Sequence, residues 1–108
     1  MKIIKFFLME RDNDKKSLKA LNDRYVKMFC QKFGGATVYR ANGYWSNGSK
    51  LFKDQTLVCE IFINVKDVYK DNKRAMYQDI KNIAKQYKQD ARQKAVSVEI
   101  DGHAFIIE

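Results

Sequence analysis

Two stretches of this chain space their apolar residues three and four apart, while the other apolar segments alternate with polar residues. In the first stretch Leu18, Leu21, Tyr25, Met28, Phe29 and Phe33 form one stripe, the signature of an amphipathic helix. Asp12, Asn13 and Asp14 are its N-cap candidates, and Gly34 ends it, because glycine accepts the left-handed backbone common just past a helix. In the second, from about Lys73 to Ala91, Met76, Ile80, Ile83, Ala84 and Tyr87 share a face. Residues 2–9, 36–45 and 56–64 alternate as strands, with Ile4, Phe6 and Leu8 on one side of the first and Ile3, Lys5 and Phe7 on the other. The closing segment "VSVEIDGHAFII" carries Asp101-Gly102, a type I′ turn signal, between two alternating runs. The order β-α-β-β-α-β, with one further short strand, predicts an α+β ferredoxin-like fold: a C-terminal hairpin, and two helices on one face of an antiparallel sheet.

At 108 residues the chain is expected to be one domain with a modest core. No segment approaches the roughly 18 to 20 apolar residues that a membrane span needs. The opening "MKIIKFFLMERDND" is interrupted by Lys5 and runs at once into acidic residues, so it reads as a first strand rather than a signal peptide, and a cytoplasmic location is expected. Cys30 and Cys59 each lie in an apolar segment and are expected to be buried small hydrophobes. With a single histidine, His103, the chain offers too few ligands of the usual kind for a zinc site; no metal and no cofactor is expected.

Between the two helical stretches lies "GGATVYRANGYWSNGSK", residues 34–50. Asn42-Gly43 and Asn47-Gly48 are turn pairs, expected to supply positive φ so that the second strand bulges and then turns into the third. Residues 35–61 resemble a family of small uncharacterised bacterial domains that carry Gly-x-Thr-Val, then Ala-x-Gly-x-Trp, a turn, and an acidic-x-Ser/Thr segment before a strand. The matching positions are Gly35, Thr37, Val38, Ala41, Gly43, Trp45, Asp54 and Thr56, with Glu60 in the strand that follows. The resemblance implies the architecture above and carries no activity.

Function rests on charge and on the sheet face that the helices leave open. A net charge of +8 points to an anionic partner, such as a nucleotide-like ligand or nucleic acid, although AT-rich coding bias gives the same lysine excess. Arg74, Lys81, Lys85, Lys88 and Arg92 fall seven, four, three and four apart, forming one cationic stripe that is either a binding surface or a solvated face. Arg40, Tyr44, Trp45, Lys50 and Lys53 combine cations with rings able to stack on bases. The open face would carry Ile3, Phe7, Val58 and Phe62, an apolar patch whose expected cover is a second copy of the chain; a ligand groove is the alternative. Glu60, flanked there by Val58 and Phe62, is the candidate acid–base residue, with an ion pair to Lys5 as the structural alternative. These signals together lean away from catalysis, toward a homodimeric, non-catalytic binder of an anionic partner, such as a phage or mobile-element protein acting on a host defence or signalling pathway. A small dimeric α+β enzyme with its site near Glu60, and a pure protein–protein module, are the two alternatives.

Overall fold

Alternation makes the first segment a strand, and its two-sided character makes it central. β1 (Lys2–Met9) buries Ile4, Phe6 and Leu8 on one face and turns Ile3, Lys5, Phe7 and Met9 to the other. It pairs antiparallel with β3 (Lys50–Ile63) on one side and β4 (Val96–Ile100) on the other. β2 (Thr37–Asn47) and β5 (His103–Ile107) form the edges, giving the order β2-β3-β1-β4-β5. This is the ferredoxin-like order with one strand added, as the sequence pattern predicts. The computed structural model describes residues 1–108 throughout.

Helices α1 (Lys19–Phe33) and α3 (Lys73–Asp90) both pack on the face of Ile4, Phe6 and Leu8. Phe29 of α1 stacks on Phe6 at 4.4 Å, and Tyr25 meets Tyr87 of α3 edge-on at 5.0 Å. Gly34 ends α1 in the left-handed region at φ 94°, as expected. The N-cap expectation fails, because α1 starts after Leu18 with no side-chain cap. Asp12 is occupied elsewhere: its carboxylate accepts from the N–H groups of Asp14 and Lys16, both at 2.9 Å, closing the loop before the helix. The short helix α2 (Val65–Tyr69) has no counterpart in the sequence reading, since five residues are too few for an apolar stripe. Asn64 caps it by accepting from the N–H groups of Lys66 and Asp67. No helix is long and apolar enough to cross a membrane.

The β2–β3 hairpin is longer than its sequence pattern indicates. The ladder runs unbroken from Thr37↔Glu60 to Asn47↔Lys50, so Asn42-Gly43 makes no bulge and Gly43 has no positive φ. Only Gly48, at φ 63°, takes the first central position of the turn, where a two-residue type II′ loop places glycine. At the other end of the sheet Asp101 and Gly102 both have positive φ, 51° and 88°, as type I′ requires. β1 covers β3 only from Thr56 onward, so residues 42–55 leave the sheet as a two-stranded ribbon. Of the two cysteines, Cys59 is buried as expected; Cys30 is exposed, on the solvent side of α1.

A buried polar knot holds the end of β1. The Asn22 side-chain amide donates to the Met9 carbonyl at 2.8 Å, and the Met9 N–H donates to the Tyr87 hydroxyl at 3.0 Å. That hydroxyl in turn donates to Asn22 Oδ1 at 2.7 Å. Burial pushes the Tyr87 hydroxyl up to about 12, so the folded chain keeps a phenolic proton that the unfolded chain, at its ordinary 10.0, releases. The contribution is therefore complete below pH 10 and is lost as pH rises toward about 12. Tyr87→Phe is expected to cost about 1–3 kcal/mol at neutral pH, because it strands a part-buried N–H and a buried amide oxygen. It should also flatten part of the alkaline fall in stability; urea melts from neutral pH to strongly alkaline pH test both.

Candidate active site

The helix-free face is built by register. Lys5 on β1 pairs with Glu60 of β3 on one side and with Glu99 of β4 on the other, so one cation stands between two carboxylates. Neither carboxylate comes within ion-pair distance of a basic group, so the ion pair between Glu60 and Lys5 is not formed. Glu60 is half-buried and accepts a hydrogen bond from the Tyr39 hydroxyl at 3.3 Å. A cavity of about 330 Å³ opens here, lined by Ile3, Lys5, Glu60, Glu99 and Asp101. The Lys2 ammonium donates to Asp101 at 3.0 Å, and this contact holds the Asp101 carboxyl below its usual range.

A second cavity of about 400 Å³ adjoins it and has a more apolar wall, with Phe7, Met9, Gly43, Trp45 and Thr56 in its lining. Glu99 lines both. Trp45 stacks on Phe52 at 4.2 Å, and its Nε1–H donates to Asp54 Oδ2 at 2.9 Å.

The residues expected to bind a ligand are scattered. Arg74, Lys81, Lys85 and Lys88 run along α3, on the far side of the sheet from both cavities, but Arg92 lies past the helix end at φ 54° and leaves the expected stripe. Lys81 lies 4.3 Å from the Phe105 ring centre, and Arg92 is 3.8 Å from Asp14. Arg40 faces the helix side, where it pairs with Glu10 at 2.9 Å. Lys50 sits beside the ribbon turn, opposite Asn47. Tyr44 and Trp45 border the larger open-face cavity; Lys53 borders a third hollow at the ribbon base, together with Trp45, Arg11 and Asp12.

The proposed dimer patch is also altered. Ile3 and Phe62 are exposed and Phe7 is half-buried, but Val58 is only 3% exposed and has no surface to offer a partner. In register it sits between Phe7 of β1 and Tyr39 of β2, two large rings on the same face. Glu99 is the site residue that the sequence did not reveal. In a five-residue strand Glu99 looks like any outward polar position; only the β1–β4 pairing sets it beside Lys5.

No family model matches the chain, and no curated protein matches it. Solved structures do. One, a phage SAM lyase in complex with S-methyl-5′-thioadenosine, aligns with a TM-score of 0.70 at 14% identity, covering 98% of this chain and 88% of that one. The phage SAM lyase in its apo state aligns with the same TM-score at 16% identity, over 98% and 87% of the two chains. The fold is shared with a phage lyase. That finding overturns the expectation of a non-catalytic binder of an anionic partner and favours the enzyme alternative. The neighbour's ligand is a nucleoside, which agrees with the nucleotide-like part of the partner expectation.

Because Glu60 and Glu99 hold no ion pair, Glu60→Gln and Glu99→Gln should each change folding stability by about 0.5 kcal/mol or less. Denaturant melts of both variants check this, and a loss of several kcal/mol would mean that these carboxylates are structural.

Proposed function

We propose that this chain is a lyase that cleaves S-adenosylmethionine on the open sheet face and releases S-methyl-5′-thioadenosine. One observation carries the reading: two adjoining cavities of unlike chemistry share a single carboxylate, Glu99. The substrate has the same division, a nucleoside and an α-amino acid joined at a sulfonium. The larger, more apolar cavity suits the nucleoside. The smaller one, with Lys5 among Glu60, Glu99 and Asp101, suits the amino-acid end, its carboxylate toward Lys5 and its ammonium toward the acidic residues. The sulfonium then falls at the junction, against Glu99. The fold likeness to a phage SAM lyase supports the same reaction class.

The chemistry needs little beyond positioning. When the bond between sulfur and the γ-carbon breaks, its electron pair stays on sulfur and turns the sulfonium into a neutral thioether. A lyase adds no water, so the γ-carbon must be satisfied from within the substrate. Its own carboxylate oxygen can close a five-membered lactone there, whereas the β-proton is not acidified by an adjacent carbonyl. Attack and departure neutralise one another's charge, so a site that excludes water and aims the carboxylate supplies most of what is required. Lys5 does the aiming. Glu99 stabilises a positive charge that the reaction removes, so it contributes to binding more than to rate. In a phage setting, such a reaction depletes the methyl donor of the host cell.

The purified protein incubated with S-adenosylmethionine should form S-methyl-5′-thioadenosine, one for each substrate consumed, as read by chromatography. Lys5→Met should lower kcat, and Glu99→Gln should raise KM more than it lowers kcat. A folded wild-type protein that yields no S-methyl-5′-thioadenosine would sink the reading.

A further inference from the structure

Gly43 occupies a place where nothing in the fold asks for glycine. It lies in a regular ladder opposite Asp54, without positive φ. A Cβ there would meet Thr56 Oγ1 at 3.5 Å and the Asp54 carbonyl at 3.7 Å, both ordinary contacts. Missing side chains inside a strand often mark the close approach of something else. At this position that something has a place to sit, because Gly43 lines the larger open-face cavity. Ala41, Gly43 and Trp45 are successive positions on that face of β2, so the surface runs small, small, then large.

Trp45 stands at the end of that step as a fixed plate. The Phe52 ring lies against it nearly parallel, at 13°, and the hydrogen bond to Asp54 sets its rotation. Even so, 48% of the residue remains exposed, on a ribbon with no helix beneath it. An indole oriented by two contacts and left half-bare beside a hollow is suited to a flat heteroaromatic ligand, since stacking needs a pre-set ring face.

We propose that Trp45 is the stacking platform for the adenine of a nucleoside ligand, and that Gly43 leaves the floor of the cavity low enough for the base to enter. This subsite rests on the lyase reading for the identity of its ligand, and its geometry rests on β2 and β3 alone. It also gives the Ala-x-Gly-x-Trp spacing a purpose that turn chemistry does not.

Trp45 is the sole tryptophan, so its fluorescence reports directly on its own surroundings. Titration with S-methyl-5′-thioadenosine or with adenosine should perturb the emission, and titration with methionine should not. By calorimetry, Trp45→Ala should bind S-methyl-5′-thioadenosine about tenfold more weakly or worse, and Trp45→Phe should recover part of the loss. Gly43→Val should weaken binding similarly by filling the floor; should it unfold, the two Trp45 variants decide the matter alone. Undiminished affinity in Trp45→Ala, or no binding of either nucleoside by the wild type, would overturn the subsite. Product formation from S-adenosylmethionine is scored separately, so turnover with a dispensable Trp45 rejects the platform and keeps the lyase. Trp45-dependent nucleoside binding without turnover does the reverse.

Discussion

The last residue of β1 is gripped at both of its backbone polar groups, the Met9 carbonyl by Asn22 of α1 and the Met9 N–H by Tyr87 of α3. A buried peptide group with no partner is costly, so this grip fixes how far β1 extends and where both helices sit relative to it. β1 in turn sets the register of β3 at Thr56, the residue paired with Met9, and the ribbon leaves the sheet just beyond that point. The apolar core on the helix side supplies most of the driving force, whereas this knot supplies alignment. Met9 also borders the larger open-face cavity, so the same residue that anchors the helices shapes the candidate site behind it.

The net charge of +8 and the candidate site pull in opposite directions. The positive charge is spread over both long helices, the ribbon and the loops, while the cavity beside Lys5 is bordered by three carboxylates. A global charge says what the protein attracts at a distance; the local set of groups decides what fits. For a ligand that is cationic at sulfur and zwitterionic at its tail, the local set matters more.

Much of the fold was legible because its signals are repetitive. Stripes such as Leu21, Tyr25 and Phe29, alternation such as Ile4, Phe6 and Leu8, and the Asp101-Gly102 turn each repeat a period or use a residue with one strong backbone preference. The site was only half legible. Glu60 stood out as a charge flanked by Val58 and Phe62, but Glu99 becomes its neighbour only through Lys5, across two strand pairings distant in sequence. Gly43 was misleading for a related reason. Asn-Gly is a turn signal in isolation, and the long ladder with Asp54 and its neighbours overrides that local preference. The Lys-rich stripe of α3 was visible at once, yet visibility in sequence only reports periodicity.

If the chain is the lyase proposed above, the carboxylate shared by the two cavities has a consequence for turnover. While the substrate is whole, Glu99 faces a sulfonium and the two cavities hold one molecule between them. Once the carbon–sulfur bond is gone, the same carboxylate faces a neutral thioether, and each fragment retains the contacts of a single cavity. Such a site would grip what it consumes more firmly than what it makes, and an accumulating nucleoside product would compete poorly for a place that only the joined molecule fills.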